Sequence, residues 1–236
     1  MASNNRKTGN SVTQFIIHAG LPKTGTTSIQ AMLADEACRL KERGVGVITR
    51  GNATVRLRRA GLSPSFRDAG IMGRLHHRRE ARKFWKDALS LNARRVLVSD
   101  ENLLGIRSRD MFEPEAARRA LRVAHQLRNA LPKGSQLKFV LYDRDRDALH
   151  RSAWNQRRRK GSKMSYDEWS EKFPDRDAAR SIIDGMSGAF GEAVTVVKME
   201  DEIASGRFLG EQVLAAAGVP DYAAPAKIYR ENVGQD

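Results

Sequence analysis

The chain has 236 residues, 40% of them hydrophobic, enough for one sizeable core, and it contains no apolar run long enough for a membrane span. Its single cysteine, Cys38, excludes an internal disulfide and any multi-cysteine metal centre. Lysine and arginine number 42 against 28 acidic residues, and the resulting formal charge of +14 points to an anionic partner, with nucleic acid ranked below a small or carbohydrate anion because aromatics are only 6%.

In chain order, residues 1–12 read as a disordered polar tail with no secretory signal, so a cytoplasmic location and one domain over 13–236 are expected. Phe15-Ile-Ile-His18 reads as a buried strand, and a glycine-flanked turn leads from it into a helix over 26–43 that stops at Gly44. Cys38, beside that helix's apolar stripe, reads as a small packed residue. Val45 to Thr49 is a short strand. The stretch 50–77 loses its periodicity and reads as an irregular excursion that could border an acceptor pocket.

Arg78 to Leu91 has helical spacing, with Trp85 assigned to the core. Val96, Leu97 and Val98 form a buried parallel strand, and Ser99, Asp100, Glu101 and Asn102 stand at its carboxyl end, where open α/β sheets place ligands. Pro114 to Leu131 is an amphipathic helix. Leu137 to Asp143 is the next strand, and it runs into Arg144 and the segment that carries Ser152. Two helices, Tyr166 to Phe173 and Asp175 to Phe190, read as a lid or side layer. A last strand, Ala193 to Met199, is followed by an acidic turn and a helix over Glu211 to Ala217 closed by Gly218. This alternation predicts an α/β fold of three layers, α/β/α, around a central parallel sheet of four or five strands.

Two segments carry the chemistry. In Gly20-Leu-Pro-Lys23-Thr24-Gly25-Thr26-Thr27-Ser28 the glycines are expected to take positive φ, letting N–H groups and a helix N-terminus converge on a phosphate. The glycine spacing is that of a nucleotide P-loop, but the lysine lies inside the loop instead of after Gly25. The second segment pairs the Arg144 guanidinium with the Ser152 hydroxyl, two donors able to meet at one phosphate. By itself, Arg144 to Asp147 reads first as a surface charge mixture capping a helix, and only together with the loop at Lys23 to Ser28 as a phosphate site.

Pro22-Lys-Thr-Gly-Thr-Thr-Ser28 resembles the 5′-phosphosulfate loop of sulfotransferases that use 3′-phosphoadenosine 5′-phosphosulfate (PAPS). The segment from Arg144 to Ser152 resembles their 3′-phosphate-binding segment, in the same order along the chain. The likeness runs from Phe15 to Asn232. It implies a P-loop-type fold and PAPS as co-substrate, released as adenosine 3′,5′-bisphosphate, with no metal. Lys23, Thr24, Gly25, Thr26, Thr27 and Ser28 would hold the phosphosulfate, Lys23 would stabilise the leaving phosphate, and Arg144 with Ser152 would fix the 3′-phosphate. The acceptor would be a hydroxyl or amine, with an acidic carbohydrate compatible. Family members use a glutamate or histidine as base, which favours Glu101, then His18, with Asp100 still open. Asp143 stands where the family has an apolar residue and is expected to weaken donor binding, and Arg230 to Gly234 only partly matches a third cofactor segment. A P-loop kinase using ATP and Mg²⁺, and a polyanion-binding protein without catalysis, are the alternatives.

Overall fold

Gln14–His18 forms β1, the middle of a five-stranded sheet that the computed structural model, describing residues 13–63, 66, 70–108, 110–225, 227 and 229, shows to be parallel throughout. With β2 (Val45–Thr49), β3 (Arg95–Ser99), β4 (Gln136–Asp143) and β5 (Val194–Lys198), the order across the sheet is β2-β3-β1-β4-β5. The expected sheet of four or five parallel strands is therefore found with five. The amino-terminal tail, residues 1–12, and the Arg230 segment lie outside the described residues.

Period-two alternation sends successive strand residues to opposite faces, and here both faces are covered. Phe15, Ile17, Val96, Val98, Phe139 and Leu141 point to one face. They pack against α4 (Ile71–Leu89), α5 (Ala116–Asn129) and α8 (Ala178–Phe190), through residues such as Trp85, Leu127 and Ile182. Ile16, Leu97, Val140 and Tyr142 point to the other. There they meet α1 (Thr26–Asp35), α2 (Ala37–Glu42) and α10 (Glu211–Ala216), through Ile29, Met32, Leu40 and Leu214. Three layers result because parallel strands need crossovers, and the crossover helices occupy both sides. Trp85 is core, as expected, and its indole N–H donates to Leu127 O at 3.1 Å.

Several local expectations are corrected. The first helix is not continuous to Arg43 but breaks at Glu36, where the carboxylate accepts from Arg39 at 2.8 Å and from the distant Tyr222 hydroxyl. Cys38 is exposed rather than packed. The supposedly irregular 50–77 stretch contains α3 (Asn52–Gly61), and α4 starts seven residues before Arg78, at Ile71. Thr54, Leu57 and Ala60 are buried at helical spacing on α3, but arginines interrupt so short a stripe, and the helix is also anchored from a distance: Thr54 and Arg58 bond to Asp100. The acidic turn after β5 is a short helix, α9 (Met199–Ala204), whose Glu202 is 4% exposed. Glu202 accepts from Tyr142 Oη at 2.7 Å, Gly210 N at 3.0 Å and Gln212 N at 2.8 Å, which ties β4 to the start of α10. The remaining helices, α6 (Arg146–Arg159) and α7 (Tyr166–Lys172), follow β4 as expected. Among the described residues, no helix is long and apolar enough to cross a membrane.

Candidate functional site

His18, at the end of β1, is in register with Ser99 of β3 and Val140 of β4, so the segments leaving these strands emerge along one edge. The loop after β1 runs to Gly25, the N-cap of α1. Lys23 and Gly25 both take left-handed backbone conformations, at φ 76° and 75°. Such turns direct N–H groups into a concavity, and the first turn of α1 contains no acidic residue to compete with a bound anion. Thr24 Oγ1 donates to Leu21 O at 2.6 Å and braces the turn.

Gly20 differs from the expectation, since the left-handed residue besides Gly25 is Lys23. Glycine is needed at position 20 for space: a Cβ there would lie 2.2 Å from Thr26 Oγ1 and 3.2 Å from His18 Nε2. A non-glycine residue in the left-handed region costs on the order of 1–2 kcal/mol. At Lys23 the strained carbonyl is held by Arg144, whose Nη1 donates to it at 2.7 Å. The two sequence motifs, 121 residues apart, thus join at one hydrogen bond. One Nη1–H is used, and the rest of the guanidinium fork remains for a ligand.

The Lys23 side chain is half-buried, and its ammonium is held below its ordinary value, first by burial and then by the positive charges of Arg159, Lys160 and Arg144, with Glu101 opposing. The Lys23 ammonium thus stands in the field of three other cations and one carboxylate, a balance that favours an added anion. Glu101 is half-buried, and Oε1 accepts from Arg50 Nη1 at 2.9 Å and Asn102 Nδ2 at 3.5 Å. Its neighbour Asp100 is fully buried and is engaged differently. Asp100 accepts from Thr54 Oγ1 at 2.6 Å, Arg58 Nη1 at 2.9 Å and Asn102 N at 3.0 Å, so it anchors α3 to the sheet instead of facing a substrate.

His18 is also fully buried. Its Nδ1 lies 2.8 Å from Ser99 Oγ, its ring meets Tyr142 edge-on at 5.4 Å, and Nε2 has no protein partner. The least costly tautomer carries the proton on Nδ1 and leaves Nε2 bare. Burial pushes the imidazole down to about 3, so it stays neutral beneath Gly20. These surroundings suit a support for the loop, and they oppose a role in accepting a proton from solvent-borne substrate.

Thr26 and Ser28 are buried at the start of α1, and Thr27 is exposed there. Ser152 is half-buried on α6, and no hydrogen bond joins it to the loop. Around Arg144 the charges sort themselves. Asp145 caps α6, accepting from Asp147 N and Ala148 N, and Asp147 pairs with Arg176 and Arg146 with Asp177. Only Arg144 turns to the loop. Asp143 accepts from Arg144 N at 3.0 Å and from the Arg180 guanidinium, so the carboxylate expected to disturb a phosphate is already compensated. Arg58, one of a cluster of arginines with Arg56 and Arg59 that reads in the sequence as a solvated face, instead pairs with buried Asp100, and Arg50 and Arg180 were not singled out by sequence. Arg50 alone had a usable signal, as the first residue past the carboxyl end of β2.

No protein-family model matches the chain, and no curated protein matches it. Among solved structures it is similar to a sulfotransferase from Alicyclobacillus acidocaldarius, at a TM-score of 0.52 and 14% identity over 92% of this chain and 86% of that one. It also aligns with thymidylate kinase from Candida albicans, at a TM-score of 0.44 and 11% identity over 87% of this chain and 92% of that one. Likeness at such identities concerns the fold, which is the P-loop-type α/β architecture.

Proposed function

We propose that the chain is a sulfotransferase that moves a sulfuryl group from PAPS to an acceptor hydroxyl or amine. The observation that carries this reading is the Arg144 Nη1 to Lys23 O hydrogen bond of 2.7 Å, which couples two anion-binding segments of the kind needed by a donor with two separated phosphates. The position of the lysine also favours it. Thr26, which follows Gly25 where a nucleotide-hydrolysing loop has lysine, is 2% exposed with its hydroxyl 3.5 Å from that of Thr24. No cation from that position faces a nucleotide.

In this reading the acceptor oxygen forms a bond to sulfur as the bond from sulfur to the 5′-phosphate oxygen breaks. The bond's electron pair stays on the phosphate, released within adenosine 3′,5′-bisphosphate, and the acceptor's proton passes to the Glu101 carboxylate. Lys23 and the loop N–H groups meet the charge that develops on the leaving phosphate, while Arg144 and Ser152 hold the 3′-phosphate. Arg50, bonded to Glu101, orients the base.

Calorimetric titration with adenosine 3′,5′-bisphosphate, without metal, tests the donor site. The wild-type chain should bind it in preference to ATP with Mg²⁺, and Arg144→Ala should weaken binding at least about tenfold, as expected for loss of a charge-assisted contact. Preference for ATP with Mg²⁺ would favour a kinase, and equal indifference to both nucleotides would favour a polyanion-binding protein.

A further inference from the structure

The helix α4 presents a second charged surface, which the proposed chemistry does not use. Its inner face is buried through Ala81, Phe84, Trp85 and Ala88. At 100° per residue, the opposite face carries Met72, Leu75, Arg79, Arg82, Lys83 and Lys86. All six are exposed. In the first turns, Ile71, Met72 and Leu75 are 68%, 76% and 55% exposed, and they are the most solvent-accessible large apolar side chains among the described residues. Among those residues, Arg74, Arg78, Arg79, Arg82 and Lys86 form no ion pair, and Lys83 has only Glu80, at 3.6 Å. Beside the apolar turns, Ile71, Arg74, Leu75, Arg78 and Gln126 line a cavity of about 210 Å³.

We propose that this face of α4 docks the protein on a bilayer surface rich in anionic phospholipid. Unpaired guanidinium and ammonium groups match a layer of phosphate headgroups, and the apolar turns at one end can enter the headgroup and acyl boundary. The small cavity lies on the flank of this face, towards Gln126 of α5, so its two guanidinium groups, amide and two aliphatic side chains border the docking face instead of forming it. A nucleic-acid backbone would use the same cations but has no partner for Ile71, Met72 and Leu75, and the helix's aromatics, Phe84 and Trp85, are buried and cannot stack on bases. The surface binds peripherally, since α4 commits its other face to the core.

The test is co-sedimentation of the full chain with phosphatidylcholine vesicles, with and without phosphatidylglycerol, in the presence and absence of a duplex oligonucleotide. Binding should require the anionic lipid. Arg79→Gln with Arg82→Gln should weaken it about 30-fold, at roughly 1 kcal/mol per cation. Met72→Ser with Leu75→Ser should weaken it about tenfold, while bisphosphate affinity stays unchanged. Should that double variant fail to fold, Met72→Ser alone should still lower binding severalfold. Absence of vesicle binding, or equal binding to neutral vesicles, overturns the proposal. So does binding that ignores the serine substitutions and is fully competed by the oligonucleotide, which would assign the face to nucleic acid.

Discussion

At the carboxyl edge of the sheet, Asp100, Glu101, Asp143 and Arg144 are buried or half-buried, and each of the four has a partner. Asp100 has three donors, Glu101 has Arg50, Asp143 has Arg180, and Arg144 holds a backbone carbonyl. On the outward face of α4 the same residue types stand in solvent, mostly without partners among the described residues. Arginine-rich sequence is common to both regions, so the residue type does not distinguish them. Burial does: it makes a lost partner costly, whereas a solvated cation is free to meet an external anion. Substitutions at the strand ends should therefore report on stability and chemistry, and substitutions on α4 on association.

The largest effect should follow loss of the reacting carboxylate. Under the proposed chemistry, Glu101→Gln should lower turnover by about 10²–10⁴-fold with bisphosphate affinity nearly unchanged. Retained turnover in a sulfuryl-transfer assay would remove Glu101 from the role of base. Next, Asp100→Ala should cost about 3–5 kcal/mol in urea denaturation, because Arg58 and Thr54 would lose their buried acceptor. A cost near zero would mean that α3 is held by packing alone.

A smaller effect should appear as pH dependence. Burial pushes His18 down to about 3 and His77 down to about 4, the latter helped by the charge of His76. The unfolded chain takes up these protons near the ordinary imidazole value, before the folded chain does. The stability from keeping the rings neutral is thus complete above about pH 6.5 and is lost as pH falls from there toward 4 and 3, at about 1.4 kcal/mol per pH unit for each ring. Both His77 ring nitrogens are buried without a partner. His77→Leu should leave neutral-pH stability equal or higher and reduce the acid slope by about one proton. An unchanged slope in denaturation curves across that window would contradict the burial argument. Smallest of all, Arg79→Gln on α4 should change stability by no more than about 0.5 kcal/mol, and a larger loss would show that this face carries structural load.

The strands were legible because alternation and β-branched runs are local: Phe15 to His18, Val96 to Val98 and Ala193 to Met199 lie within a residue or two of the observed elements. The lysine-bearing loop was legible for the same reason, since its glycines and hydroxyls are contiguous. By contrast, α3 was not, because its buried stripe of Thr54, Leu57 and Ala60 is short and interrupted by arginines, and part of its anchorage is Asp100, a residue in a different strand's exit. The residue at the break, Glu36, is bonded by the distant Tyr222, and the exposure of Cys38 follows from how the second short helix lies.

Sequence by itself determined the alternating α/β order, the parallel sheet and the position of the two segments proposed to bind anions, all of which depend on residues close together along the chain. Tertiary structure alone decided the partners. It brought Arg144 onto the Lys23 carbonyl, separated the neighbouring carboxylates Asp100 and Glu101 into an anchor and an accessible base candidate, and sealed His18 beneath Gly20. These outcomes depend on desolvation and on distances between groups far apart in the chain, quantities that no local pattern encodes.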